Sequence, residues 1–252
     1  MDIHQQFELF SKMHNPNQPL VLVNVWDVGS TRTLLDTKPN ILAIATSSWA
    51  IAQSCGFEDG ETIPYDKVLE AISAIVKSSN IPVSADIEAG YCEGNLEKLK
   101  CNIASLLKTN VVGINFEDQI IKSPGHLCSI EEQSRRIKEI RLIAEQSQRP
   151  LFINARTDIF FRNNDKDHPK LLEEAIVRSK DYHKSGANGL FVPGLKDPKL
   201  IKSLCQQSLL PVNVMVSSIE EVKQFSGLGV SRFSTGPFPY IQSMNALRNF
   251  VK

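Results

Sequence analysis

The sequence predicts an α/β fold of the (β/α)8 TIM-barrel class, one domain over residues 1–252, and three observations carry that prediction. Eight short β-rich runs alternate with amphipathic helical stretches. The runs are nearly continuously apolar, as strands buried on both faces must be. And the chain length is about what one closed barrel uses. An open doubly wound sheet is the alternative architecture. No Gly-x-Gly-x-x-Gly follows the first run, which weakens the dinucleotide-binding form of that alternative.

The eight runs are Pro19–Val25, Ile41–Thr46, Pro82–Asp86, Val111–Glu117, Pro150–Ala155, Gly189–Val192, Pro211–Val216 and Ser231–Thr235. Between them, Lys67–Lys77 gathers Val68, Ile72 and Ile75 on one face, and Leu96–Lys108 gathers Leu99, Ile103 and Leu106. Ser129-Ile130-Glu131-Glu132 reads as a capping box that opens a helix burying Ile137, Ile140 and Ile143. Leu171–Lys184 stops at Gly186, which suits a left-handed cap. Asp197-Pro198 is a cap followed by a first-turn proline. Ser218 to Glu221 is a second capping box, and Ile241–Lys252 a last helix.

Composition excludes some functions. Apolar residues at 42% supply a large core, and 28 basic and 28 acidic residues cancel. A neutral chain without a Lys/Arg run has no field to gather nucleic acid or an anionic membrane, so neither is an expected partner. Five cysteines with no Cys-x-x-Cys argue against a disulfide framework or structural zinc, and they read as buried or inert. Met1–Gln18 has no apolar signal core, and no run is long enough to span a bilayer. A reduced, cytoplasmic setting is expected.

Barrel active sites sit at the carboxyl ends of the strands. Asp86 and Glu88 end the third run, and alternation should point them the same way. Glu117 ends the fourth run and Arg156 follows the fifth; Thr46-Ser47-Ser48 ends the second, and Asn213 lies in the seventh. Carboxylates clustered this way repel one another, and a hard dication with oxygen ligands relieves the repulsion; Mg²⁺ fits, keeping several waters. Arg156 can hold a substrate carboxylate through two parallel hydrogen bonds. The blander readings are that the acids cap helices, that Arg156 pairs with Asp158 or a barrel acid, that Trp26 and Trp49 only pack, and that His126 is a solvated loop residue.

Taken together, Asn24-Val25-Trp26-Asp27, Gly56 to Glu61, Ser84 to Tyr91, Gly113 to Gln119, Asn154 to Asp158, Phe191 to Gly194 and Gly236 to Tyr240 resemble the isocitrate lyase/phosphoenolpyruvate mutase superfamily. The resemblance runs from about Leu22 to Tyr240. It implies an enzyme that binds Mg²⁺ (Mn²⁺ being the alternative) and an α-keto or α-hydroxy acid or its enolate. It implies Asp59, Asp86, Glu88 and Glu117 as metal-site acids, and Arg156 as the substrate-carboxylate arginine. Thr46, Ser47 and Ser48 become the segment that holds the pyruvyl group; Asn213, from its place in the seventh run, is a further candidate substrate contact. Family members commonly form dimers and tetramers by exchanging a terminal helix. A homo-oligomer is expected here too, with the exchange left open because only one helix follows Tyr240.

Two departures matter. Glu88 stands where the family's second metal position usually has Asp. The loop Lys122-Ser123-Pro124-Gly125-His126 keeps the lyases' lysine, glycine and histidine, with Pro124 in place of their proton-transferring cysteine. Lys122, His126, Glu117 and Arg156 are the candidate catalytic residues; Cys128 lies too far along to be taken as a substitute. The expected function is a Mg²⁺-dependent lyase of a C–C bond next to a pyruvyl unit, such as an oxaloacetate decarboxylase or a malate-type lyase. A P–C bond mutase or hydrolase on the same scaffold, with Arg32 and Arg162 as extra donors, is the alternative. A barrel without catalysis is the third reading.

Overall fold

A computed structural model describes residues 1–123 and 125–252; Pro124, in the place of the lyase cysteine, lies outside the described residues. The chain runs α1 (Ile3–Lys12), β1 (Leu20–Leu22), β2 (Asn24–Val25), α2 (Val28–Thr37), β3 (Ile44–Thr46), α3 (Ser48–Ser54), α4 (Tyr65–Lys77) and β4 (Val83–Asp86). It continues α5 (Leu96–Leu107), β5 (Gly113–Glu117), α6 (Ile130–Gln146), β6 (Phe152–Arg156), α7 (His168–Lys184), β7 (Gly189–Phe191), α8 (Pro198–Gln207) and β8 (Val212–Met215). A 3-10 helix (Glu220–Phe225), β9 (Arg232–Ser234) and α9 (Phe238–Phe250) complete it. All strand pairs are parallel, in the order β1-β9-β8-β7-β6-β5-β4-β3-β2.

The first predicted run is therefore two strands. Leu22 pairs with Ser234 of β9, and Asn24 pairs with Ala45 of β3. One segment changes partner at Val23 and so joins the two ends of the sheet, making the barrel. Asn24 locks the seam. Its Oδ1 accepts from the Thr235 and Gly236 amides, each at 2.9 Å, and its Nδ2 donates to the Thr46 carbonyl at 2.7 Å.

Alternation along the strands stacks the barrel interior in layers. Phe152, Asn154 and Arg156 of β6 point inward at successive levels, as do Gly113, Asn115 and Glu117 of β5. The lowest layer is sealed by α1, an element the sequence reading did not anticipate. Phe10 of α1 is fully buried against Leu20, Leu22, Val112 and Phe152. Gly113 makes room for it, since a Cβ there would lie 3.0 Å from the Phe10 ring. His14 stacks on Phe152 at 4.1 Å and donates from Nδ1 to the Phe10 carbonyl at 2.8 Å. The middle layer is polar: Asn115 Oδ1 accepts from Asn154 (2.9 Å) and from Arg232 (3.2 Å), and Ser234 links Arg232 to Asn213. The top layer carries Asp86, Glu117 and Arg156.

Helix signals hold with local changes. Asp197 caps α8 onto the Lys199 and Leu200 amides, and Gly186 closes α7 at φ +98°. Ser129 accepts from the Glu132 amide at 3.1 Å, but only this forward half of its box forms, because Glu132 turns toward a neighbouring cavity. At the second box, Glu221 bonds back to Ser217, one residue early, and the helix is 3-10. The five cysteines are free; Cys55 and Cys101 are exposed rather than buried. No helix among the described residues is long and apolar enough to cross a membrane.

The strand ends are tied to the outer helices by a buried charge. Asp118 follows β5 and is fully buried. It accepts from the Asp158 amide, Arg178 Nη1 and the Tyr182 hydroxyl, all at 3.0 Å, so it joins the tops of β5 and β6 to α7. Removing it takes the acceptor from three buried donors. Asp118→Ala is expected to lower stability by about 3–5 kcal/mol in urea denaturation, whatever its effect on catalysis.

His14 sets a second expectation. Burial, and then the charge of Arg232, pushes its imidazole down from 6.5 to about 3. The native protein therefore keeps His14 neutral while the unfolded chain takes up a proton below about pH 6.5. Stability linked to His14 is intact above that pH and is lost as pH falls toward 3, at up to about 1.4 kcal/mol per pH unit. His14→Phe should remove this slope when urea midpoints of the two proteins are compared between about pH 6 and 4.

Candidate active site

The carboxyl ends of the strands open into a cavity of about 450 Å³ with an acidic floor. Glu117 and Arg156 are register partners across β5 and β6, and their side chains meet at 2.8 Å. Asp158 takes Arg156 from the other side, accepting from Nε at 2.6 Å and Nη2 at 2.9 Å. Both blander readings of Arg156 thus hold at once: it pairs with Asp158 and with a barrel acid. Three of its five donors are engaged, which leaves two for a ligand. Burial works against its charge, but Asp158 and Glu117 outweigh burial and keep the guanidinium protonated.

Asp86 closes β4 and is held from two sides. Its amide donates to Thr46 Oγ1 at 2.9 Å. Its Oδ2 accepts from Ser48 Oγ at 2.9 Å and from the Ser48 amide at 3.3 Å. Ser48 therefore spends on Asp86 the donors expected to meet substrate. Ser47 lines the cavity, but its hydroxyl caps α3 and its amide bonds to Val25. Thr46 acts behind Asp86 and does not line the cavity.

Glu88 was expected to extend the strand face of Asp86. Instead the strand ends at Asp86, and Glu88 adopts φ +49°, in the left-handed region that a glutamate rarely occupies. Side-chain bonds hold it there. Its carboxylate accepts from the Tyr91 hydroxyl at 2.7 Å and the Glu61 amide at 2.8 Å, while its carbonyl takes the Glu117 amide at 2.9 Å. Gly90 permits the turn: a Cβ there would strike Leu99 at 2.6 Å. Burial, and then the charges of Asp59 and Asp86, pushes the Glu88 carboxyl up to about 8. Asp59 stands exposed at the rim, yet the surrounding protein and Asp86 hold its carboxyl above the usual range.

These acids crowd one another, and one acceptor is unused: Asp86 Oδ1 is buried and accepts no hydrogen bond. Among the described residues, no three His, Cys, Asp or Glu side chains converge tightly enough to enclose a metal alone. The set suits an ion that takes one or two carboxylates directly and reaches the others through water, which is the habit of Mg²⁺.

The loop residues fall elsewhere. Lys122 and His126 are exposed; Lys122 pairs with Glu93 and borders a separate cavity of about 340 Å³. The loop is pinned by a bridge between Gln119 and Leu127. Cys128 is buried against Arg136 Nη1 at 3.4 Å, and burial pushes its thiol up, so it is no ready acid or nucleophile. Asn213 belongs to the polar layer below the cavity, accepting from Ser234 at 3.1 Å. Arg162 lines the cavity; Arg32 is exposed on α2 and does not.

Sequence reasoning named Asp158 as a partner of Arg156 but passed over the upper wall of the cavity. The upper wall is apolar and comes from unrelated elements: Trp49, Phe161, Phe191, Met215, Phe238 and Ile241. No local pattern marks such a wall, because its members meet only once the barrel closes.

The chain matches the model of the family described as phosphoenolpyruvate phosphomutase over residues 10–252. An uncharacterized protein of Mycobacterium tuberculosis (strain H37Rv) is 30% identical over 237 residues, covering 94% of this chain and 85% of that one. Oxaloacetate decarboxylase 2 of Pseudomonas fluorescens is 24% identical over 251 residues, covering 96% and 82%. A solved Burkholderia cenocepacia J2315 protein assigned to the phosphonomutases superposes with a TM-score of 0.93 at 38% identity, covering 98% of both chains. The barrel with its acidic floor therefore belongs to the phosphoenolpyruvate phosphomutase family, in the superfamily it shares with the isocitrate lyases, whose members are lyases and mutases.

Proposed function

We propose that the protein is a Mg²⁺-dependent carbon–carbon lyase acting next to a pyruvyl unit through an enolate. Decarboxylation of an oxaloacetate-type β-keto acid is the reaction its cavity serves best. One observation carries the reading: among the described residues, the cavity lining contains no lysine, histidine or cysteine. Cleavage of a hydroxy acid needs a positioned base, and protonation of the resulting enolate a positioned acid; the only such groups in the lining are carboxylates, which this reading assigns to the ion. Loss of carbon dioxide needs no base. The C–C bonding pair passes into the enolate, and water returns the proton. The named activity of the Pseudomonas relative accords with this.

In this reading the two free donors of Arg156 hold the pyruvyl carboxylate, with Glu117 and Asp158 fixing the guanidinium plane. Ser48 and Thr46 orient Asp86 so that Oδ1 faces the ion. Asp86 would hold Mg²⁺ directly, and Asp59, Glu88 and Glu117 through water. Bound there, Mg²⁺ supplies a Lewis acid for the enolate oxygen. The apolar upper wall keeps bulk water from the anion until the bond has broken. The whole of residues 1–252 acts as one catalytic domain.

Arg162 favours a second reading, a P–C bond enzyme, because it adds a cation to the lining. It ranks second because Arg162 is drawn to Asp158, 3.8 Å away, and Arg156 already serves two carboxylates. Oxaloacetate and phosphonopyruvate assayed side by side separate the two. Turnover of oxaloacetate that vanishes on chelation is expected; turnover of phosphonopyruvate alone would overturn the C–C assignment. Inactivity on both, with no calorimetric binding of Mg²⁺ and oxalate, would mark a barrel without catalysis. Asp86→Ala is expected to abolish Mg²⁺-dependent oxalate binding.

We also read the protein as a homo-oligomer, a dimer or tetramer. The support is the end of the chain, where Leu247, Phe250 and Val251 are exposed at 58%, 88% and 75%. Clustered apolar exposure of this kind marks an interface. Sedimentation should show an oligomer that Leu247→Asp and Phe250→Asp dissociate.

A further inference from the structure

A pyruvyl unit and an ion use only the floor of the cavity. The space above, part of about 450 Å³, lies in the range of pockets that take ligands larger than a four-carbon acid. Its wall begins directly beside the cation that would hold the pyruvyl carboxylate: the Phe161 and Phe191 rings each lie 5.8 Å from the Arg156 guanidinium carbon.

The wall is also built to keep its shape. Gly194, at φ +85°, lets its chain segment rest on the Phe161 backbone, where a Cβ would come within 2.8 Å. Gly236 does the same for Met215, whose sulfur would lie 2.7 Å from an added Cβ. Tyr240 sits edge-on to both Trp26 (5.2 Å) and Trp49 (5.8 Å), which anchors the first turn of α9 and with it Phe238 and Ile241. Arg162, the second cation of the lining, turns its guanidinium to Asp158 and over the Phe161 ring at 5.6 Å. A rigid apolar surface next to a charged floor gains nothing from a small, fully polar substrate. It gains from burying hydrocarbon, at little ordering cost.

We propose that the substrate carries an apolar chain or ring on the carbon that becomes the enolate carbon, received by Phe161, Phe191, Met215, Phe238 and Ile241. The class is a 3-substituted oxaloacetate. This rests on the reading of the floor as a pyruvyl site. The reaction would be R–CH(COO⁻)–CO–COO⁻ giving CO₂ and R–CH=C(O⁻)–COO⁻, which takes one proton from water to become R–CH₂–CO–COO⁻.

The test is calorimetry with Mg²⁺ and a series of enolate mimics: oxalate, oxamate, and oxamates bearing N-propyl, N-butyl and N-pentyl groups. Affinity is expected to rise about fourfold for each added methylene. Phe238→Ala and Ile241→Ala should flatten that rise. Binding of oxalate and oxamate with no gain along the alkyl series would overturn the inference and leave the pyruvyl reading standing. Failure of every member of the series to bind the wild-type protein would overturn both.

Discussion

The mouth of the barrel depends on how Arg156 is shared. One guanidinium faces Glu117 across the sheet and Asp158 along its own chain, and all three groups are largely withdrawn from water. Each ion costs several kcal/mol to bury alone, and the pairings recover that cost only together. The arrangement extends beyond the site, because the Asp158 amide bonds to Asp118, and Asp118 binds Arg178 and Tyr182 of the outer helix α7. The buried charge at the mouth of the barrel is thus continuous with the charge that fastens the barrel to its shell.

Below that layer the barrel departs from the branched aliphatic filling usual in this architecture. Arg232 is fully buried in the middle, bonded to Asn115 and Ser234, and among the described residues it makes no ion pair. Burial pulls its guanidinium down to about 9, and the charge of Asp86 works in the other direction. Arg232 Nη1, Asn154 Oδ1 and Asn213 Nδ2 have no partner. Such a layer is expensive for stability. Its return is a positive centre beneath the floor, which attracts the charge of Asp86. α1 then closes the bottom with Phe10 and a neutral His14, so that little water reaches this centre from below.

Much of this was legible in the residue order. Short apolar runs between amphipathic helices set out a parallel barrel, because burial on both faces leaves a one-dimensional mark. Asp86, Glu117 and Arg156 were legible because they end strands. Glu88 was legible as an acid just beyond the third run but not as a backbone outlier, since its φ is held by Tyr91 and Glu61 from outside the strand. The roles of Ser47 and Ser48 were misplaced: a hydroxyl near an acid and a helix start has several partners, and sequence does not rank them. Lys122 and His126 kept their motif spacing, yet they point away from the cavity in this structure. Helix α1 was passed over although its signal was there: Asp2 caps it, and Ile3, Phe7 and Phe10 recur at i, i+4 and i+7 on the face that packs under the barrel.

The changeover at Val23 has a consequence for how the protein comes to exist. Asn24 meets Ala45 after a short stretch of chain, but its bonds to Thr235 and Gly236 reach across 211 and 212 positions. Contacts of such long range slow folding and tend to come last, since chain entropy must be lost before they are rewarded. Until they form, an open, strand-edged sheet can exist, with the segment after β9 unattached and two edges free to pair with other chains. The apolar wall over the acids, which draws on both ends of the sheet, is therefore complete only in the finished molecule. The segment from Arg232 to Gly236, meeting Leu20 to Asn24, is what closes the sheet into a vessel.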